Sequence, residues 1–375
     1  MALNQVGLER LNTATTKKIG TNKNLIINGA MQVAQRGTSS TTNNGYYTID
    51  RIKQYYQDLD EAPTFSQSDV ASGTTPYTLG FRKALKVTNG NQTSGAGVSD
   101  QIQIIYWIEA QDIANSGWNY KSSSSFLTFS FWIKSSVAQV FNFYVITSDG
   151  TEKNMPFSTP SLSADTWTKV EVQIKGDSGI DFNNDNGHGL GLYLAPYLGT
   201  NYTDNSLTNG EWATYSSATR YKDLATTWFT TNDATVEYTG LQLEVGSVAT
   251  DFEHRSFDVE LALCQRYFQK YVHTANEACI AAGLVWVGTQ VRTPFMFLKE
   301  MRTAPSFTSS TASNFQAANG DQSRTASALT MSSACTTHAI IFMTTASGLT
   351  QSNPIFMDNM NNGGTGSFFA LDSEL

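Results

Sequence analysis

Phe126-Leu127-Thr128-Phe129-Ser130-Phe131-Trp132-Ile133-Lys134 is the stretch that decides the fold class. Leu127, Phe129, Phe131 and Ile133 fall on one face of an extended chain and Thr128, Ser130, Trp132 and Lys134 on the other, a period of two that only a strand with one buried face explains. The pattern repeats on both sides. Phe141, Phe143 and Val145 share one face, with Tyr144 and Ile146 on the other; Val170, Val172 and Ile174 alternate with Glu171, Gln173 and Lys175; Leu190, Leu192 and Leu194 follow; Leu241, Leu243 and Val245 alternate with Gln242 and Glu244. Earlier strand candidates are Leu25–Val33, Thr48–Tyr56, Leu85–Thr88 and Ile102–Tyr106. Gly, Asn, Ser and Asp separate the runs. About nine strands across roughly 225 residues predict an antiparallel β-sandwich of the two-sheet jelly-roll kind.

Outward from the sandwich the pattern changes. Phe257, Leu261, Cys264 and Phe268 recur at helical spacing, with Ser256 as N-cap and Asp258 and Glu260 in the positive first turn. This predicts one short helix whose stripe seals a seam between domains or between chains. Beyond it, Ala282–Gly288, Phe295–Leu298 and His338–Met343 read as strands, Thr308–Thr330 as loops with weak strands, and Ser367–Leu375 as a strand tucked into a sheet. The expected organisation is an N-terminal arm over 1–24, a jelly roll over 25–255, a linker helix over 256–270 and a smaller β-rich domain over 271–375, mainly β throughout. Within the arm, Leu3, Val6, Leu8 and Leu11 form a short apolar face suited to docking on another protein.

Composition narrows the function. Charged residues are 15% of the 375-residue chain and the net charge is -8, so a basic groove for nucleic acid is not expected. No apolar run is long enough to span a membrane, and Met1–Gln5 does not open a signal peptide, which predicts synthesis and folding in a cytoplasm without membrane insertion. Cys264, Cys279 and Cys335 make neither a disulfide framework nor a zinc site.

No catalytic frame is apparent, and an enzyme is not expected. His188, His254, His273 and His338 sit in no nucleophile or metalloprotease motif, and the carboxylate pairs Glu109/Asp112 and Asp251/Glu253 read as backbone or Arg acceptors. Asp181, Asn183 and Asp185 offer oxygens at alternate positions, a weak Ca²⁺ candidate: the bidentate Glu of such loops is replaced by Leu192, so an Asx-rich turn is the plainer reading. No other cofactor is implied. Sugar contact needs exposed rings among hydrogen-bonding side chains. Trp118 and Tyr120 lie in one polar loop, and Trp212 and Tyr215 in another.

Several stretches resemble one family. They are Asn24–Gly37, Tyr47–Arg51, Asp112–Ala114 with Trp118, Leu127–Ser136, Asp185–Leu190 and, most specifically, Thr239-Gly240-Leu241-Gln242-Leu243-Glu244-Val245-Gly246 running on through Phe257 to Tyr267. Together they resemble tail-fibre and virion structural proteins of tailed bacteriophages, with a carbohydrate-binding-module-like jelly roll. The likeness covers roughly residues 24–270; Ile52 and Asp251 depart from the pattern without touching the fold. The resemblance implies a virion protein, most often a homotrimeric fibre that attaches to host surface polysaccharide and joins other tail proteins through its arm. It transfers no sugar-contact residue, and it marks Trp118 as a packing anchor. The alternative is a purely architectural virion component using the sandwich as scaffold.

Overall fold

The computed structural model describes residues 23–273, 279–320, 322–360 and 367–375. The expected docking residues Leu3, Val6, Leu8 and Leu11 lie outside them. The chain divides into two compact units. One gathers the described residues up to Ala30 with Tyr56–Pro63 and Ser68–Arg255; the other gathers Met31–Tyr55, Thr64–Gln67 and Ser256–Leu375. Residues 31–55 and 64–67, expected within a 25–255 sandwich, thus group with the C-terminal part. No helix among the described residues is long and apolar enough to cross a membrane.

The first three strands are β1 (Ser39–Ser40), β2 (Lys53–Gln57) and β3 (Thr64–Asp69); β1 pairs with β3 within the second unit. The sandwich of the first unit is built from β4 (Lys83–Thr88), β5 (Gln101–Glu109), β6 (Phe126–Ser135), β7 (Asn142–Thr147), β8 (Lys153–Ser158), β9 (Thr168–Lys175), β10 (His188–Leu198), β11 (Ala213–Thr214) and β12 (Thr235–Val245). One sheet runs β4-β12-β6-β9 and the other β11-β8-β7-β10-β5, all neighbours antiparallel. The alternation read from the sequence does the work. Phe129 and Phe131 of one sheet meet Phe143 of the other at ring separations of 6.1 and 5.3 Å, and Phe143 stacks on Phe157 at 5.4 Å. Such offset and edge-on pairs add to the burial that drives the sheets together.

The Leu25–Val33 run is not a strand. Asn28 takes a left-handed φ of 62° and bends the chain, and Gly29 comes so close to β12 that an added Cβ would sit 2.1 Å from the Leu241 carbonyl oxygen. Asn24 ties the turn down, its Oδ1 accepting from the amides of Ile26 and Leu243, each at 3.0 Å. The return segment is held in the same way. Glu244 accepts from the Thr250 amide at 2.8 Å, Gln242 accepts from the Glu253 amide at 2.8 Å, and the Glu253 carboxylate accepts from the Asn24 amide at 2.7 Å. The motif from Gly240 to Arg255 is therefore a set of backbone clamps.

In the second unit, β13 (Phe268–His273) is followed by β14 (Cys279–Val287), β15 (Gln290–Met296), β16 (Ser306–Ser309), β17 (Phe315–Ala318), β18 (Ser323–Ser332), β19 (His338–Thr345), β20 (Pro354–Asn359) and β21 (Ser367–Asp372). Six of them close a barrel in the order β14-β15-β19-β18-β17-β20, and β21 lies between β13 and β16 in a small sheet. The stretch 308–330, read as loops with weak strands, supplies β17 and most of the ten-residue β18. Barrel closure gives each strand two hydrogen-bonding neighbours, so a Ser- and Thr-rich strand holds with few apolar side chains.

The helix Phe257–Cys264 follows Ser256 but ends before Phe268, which opens β13. The four residues expected to form one helical seam therefore do not share a face: Phe257 is 52% exposed, Leu261 is partly buried, Cys264 is buried, and the Phe268 ring lies 3.7 Å beneath the Arg36 guanidinium. Arg36 pairs with Asp372 at 2.9 Å and Glu374 at 3.2 Å. Arg51, 1% exposed and with φ of 72°, pairs with Glu374 and stacks on Tyr267 at 3.4 Å. Asp50 and Arg51 find their charged partners among residues 31–55 and 256–375.

Two outcomes follow. Glu374→Ala strips two buried guanidinium groups of a counter-charge and should destabilise the second unit by about 3–5 kcal/mol in urea or thermal melts. Burial raises the Asp50 carboxyl to about 6, against the opposing pull of Arg36 and Gln35. A folded value above the unfolded one means a contribution fully present near pH 4 and lost as pH rises through about 6. Asp50→Asn should flatten the stability profile between those limits; an identical slope in both proteins would remove Asp50 from the account.

Candidate functional site

The outer face of the second sheet carries a packed group of aromatic rings. On β5, Tyr106 and Ile108 point into the core, which turns Trp107 outward; on β10, Leu192 and Leu194 point inward and Tyr193 outward; on β7, Phe143 and Val145 point inward and Tyr144 outward. The registers align them, Trp107 opposite Gly191 and Tyr144 opposite Tyr193. Tyr144 stacks on Tyr193 at 4.6 Å, Trp107 meets Tyr193 edge-on at 5.9 Å, and His188 covers the far side of Trp107 at 4.5 Å.

Gly191 makes this possible. A Cβ there would lie 2.9 Å from the Trp107 ring and 2.8 Å from Ile146. Its absence lets the indole lie across the strand, partly buried but with surface left for contact. The Trp107 N–H donates to the Tyr193 hydroxyl, whose pKa burial raises, so Tyr193 stays neutral and keeps its proton for donation. Beside the rings runs an amide chain. Gln103 donates to Gln101 at 2.7 Å, the Tyr144 hydroxyl to Gln103 at 3.3 Å, and Arg220 to Gln101 at 3.3 Å. Tyr202 and Tyr215 close the flank against buried Tyr221.

The sequence candidates divide. Tyr215 belongs to this cluster. Trp212 does not: its indole donates to the Lys175 carbonyl at 2.6 Å, away from the rings that Tyr215 joins. Trp118 is 3% exposed, donates to the Ser125 carbonyl at 3.2 Å and packs on Phe182 and Tyr120, so it anchors a loop and offers no platform for a sugar. Tyr120 is partly buried in that same group. Among the Ca²⁺ candidates, Asp181 pairs with Lys121, Asn183 donates to Asp149 at 2.8 Å, and Asp185 caps the Gly187 amide at 2.9 Å, an Asx turn. No cluster of three or more His, Cys, Asp or Glu suited to a metal occurs among the described residues. Of the carboxylate pairs, Glu109 is buried and accepts from Gln111 at 2.6 Å, while Glu253 serves the Asn24 amide and Arg255.

Trp107, Tyr193 and His188 were not singled out in the sequence. The available signal was the alternation Gln101, Gln103, Ile105, Trp107, which sets polar and aromatic groups on the face opposite Ile102, Ile104, Tyr106 and Ile108. Gly191→Ala should displace the Trp107 ring at a cost of about 1–3 kcal/mol from overpacking. Tryptophan fluorescence and a thermal melt would read it, and an unchanged spectrum with unchanged stability would show that the ring does not depend on Gly191.

No family model matches the chain, and no curated protein matches it in sequence. Among solved structures, it is similar to the enzymatically active domain of tailspike protein 4 of bacteriophage CBA120, at 8% identity and TM-score 0.32 over 60% of this chain; the match spans 22% of the tailspike chain. It is also similar to the N-terminal cellulose-binding domain of Cellulomonas fimi β-1,4-glucanase C, at 10% identity and TM-score 0.27 over 58% of this chain and 99% of that domain. A third similar structure is TmCBM61 in complex with β-1,4-galactotriose, at 6% identity and TM-score 0.27 over 60% of this chain and 99% of that one.

Proposed function

We propose that the first unit is a glycan-binding module, with the outer face around Trp107, His188, Tyr193 and Tyr215 as its platform. The observation that carries this reading is the row of packed rings on the outer face of a sheet, with Trp107 seated against a glycine and amide and guanidinium groups beside it. A sugar presents an apolar C–H face and a rim of hydroxyls, and such a surface answers both. The charge-poor, acidic chain suits a neutral ligand.

The sequence resemblance supplies the wider context: a virion protein of a tailed phage, a homotrimeric fibre that reads host polysaccharide and joins the tail through residues 1–24. Leu284, Trp286 and Phe356, each more than two-fifths exposed on the outer face of the closed barrel, support a chain-to-chain contact. Each neutral hydrogen bond to a sugar contributes about 0.5–1.5 kcal/mol, so a single site binds weakly and several sites on one fibre act through effective concentration.

A glycan array followed by titration of the best ligand tests this. His188→Ala should weaken binding about tenfold, as loss of a ring anchor does, with melting temperature little changed; Trp107→Ala should weaken it likewise while lowering the melting temperature through lost packing. Undiminished binding by both variants would move the site elsewhere, and an array without signal would favour an architectural role.

A further inference from the structure

The opposite outer face of the same sandwich holds a separate pocket of about 140 Å³. It opens where β12 loses register with β6, between Thr239 and Gln242, at Gly240. Gly240 has a φ of 66°, and a Cβ there would stand 2.7 Å from the Phe81 ring, so the floor exists only because this position lacks a side chain. Three rings make one wall. Phe81 lies 4.9 Å from Phe252 and 5.1 Å from His254, and Phe252 lies 4.9 Å from His254. His254 Nε2 is 2.8 Å from the Leu79 carbonyl oxygen, which only accepts; Nε2 therefore carries the proton. Across the pocket is the outward-facing indole of Trp132, whose cross-strand neighbour is Lys169. Lys169 and Asp251 put charged groups at the rim, and Ser130 and Thr250 add hydroxyls.

We infer that this pocket is a second glycan site, taking one neutral pyranose ring. Its volume is below the roughly 300–1,000 Å³ of pockets that enclose drug-sized ligands, which limits it to a single ring. Its walls are aromatic and its lining also holds polar side chains, the combination a lone sugar residue satisfies and an aliphatic chain does not. The inference rests on the glycan-binding reading for its ligand class but on different residues for its geometry. The two faces belong to opposite sheets, packed about 10 Å apart with their side chains projecting away from each other. One short oligosaccharide cannot lie on both, so the unit holds two glycan strands at once.

The probes are neutral methyl pyranosides (methyl glucoside, galactoside and mannoside) added at millimolar concentrations to full-length protein with ¹⁵N-labelled indoles. The Trp132 indole resonance should shift saturably with at least one probe, both in the parent and in Trp107→Ala. Phe252→Leu keeps apolar bulk in place and should weaken that response about tenfold, with the Trp107 response kept within about twofold. A Trp107 response without any at Trp132 overturns the second site and leaves the first. Loss of the Trp132 response in Trp107→Ala also overturns it, since one site would then account for both signals. Silence at both indoles overturns both readings.

Discussion

Two polar side chains buried on the outer face of one strand organise the first unit. Gln242 and Glu244 are 1% and 3% exposed on β12, and buried polar groups must be hydrogen-bonded. Their partners are backbone amides of Thr250 and Glu253, and through Glu253 the amide of Asn24. That requirement folds residues 250–255 back over the sheet and holds the chain entering the sandwich beside the chain leaving it. Phe252 and His254 reach the wall of the small pocket because the segment is tied there, so the shape of that pocket rests on two buried polar side chains.

Much of the sandwich was legible because one face of each strand is apolar and the other is not. Leu127, Phe129, Phe131 and Ile133 announced β6 without help. The ring platform was harder to see, since in β5 every residue except Trp107 is buried and no hydrophobic contrast marks which face is outside. β18 was hidden for the opposite reason: its Ser, Thr and Ala side chains carry little signal, and its order comes from neighbours on both sides. The Leu25–Val33 run misled because its apolar residues suit a strand while Asn28 takes a left-handed conformation.

The candidate residues separate by what their polar atoms already do. Trp118 and Trp212 have spent their indole N–H groups on backbone carbonyls, which fixes them as parts of the frame. Trp107 has spent its own on a second aromatic side chain, which pre-organises a pair of rings as one surface. Sequence alone cannot distinguish these three tryptophans; partner identity can. In the proposed glycan-binding role, a platform ordered before ligand arrives loses little conformational entropy on binding, which matters when each sugar contact is weak.

Arg51 and Glu374 form their ion pair 323 residues apart in sequence. A ribosome adding about 5–20 residues per second takes roughly 15–65 s to cover that distance. Once residue 255 has been made the first unit has all its described strands available, while Arg36 and Arg51 still lack Glu374. The second unit therefore cannot complete this pairing before Glu374 has been made, and the burial of two guanidinium groups waits on that one residue.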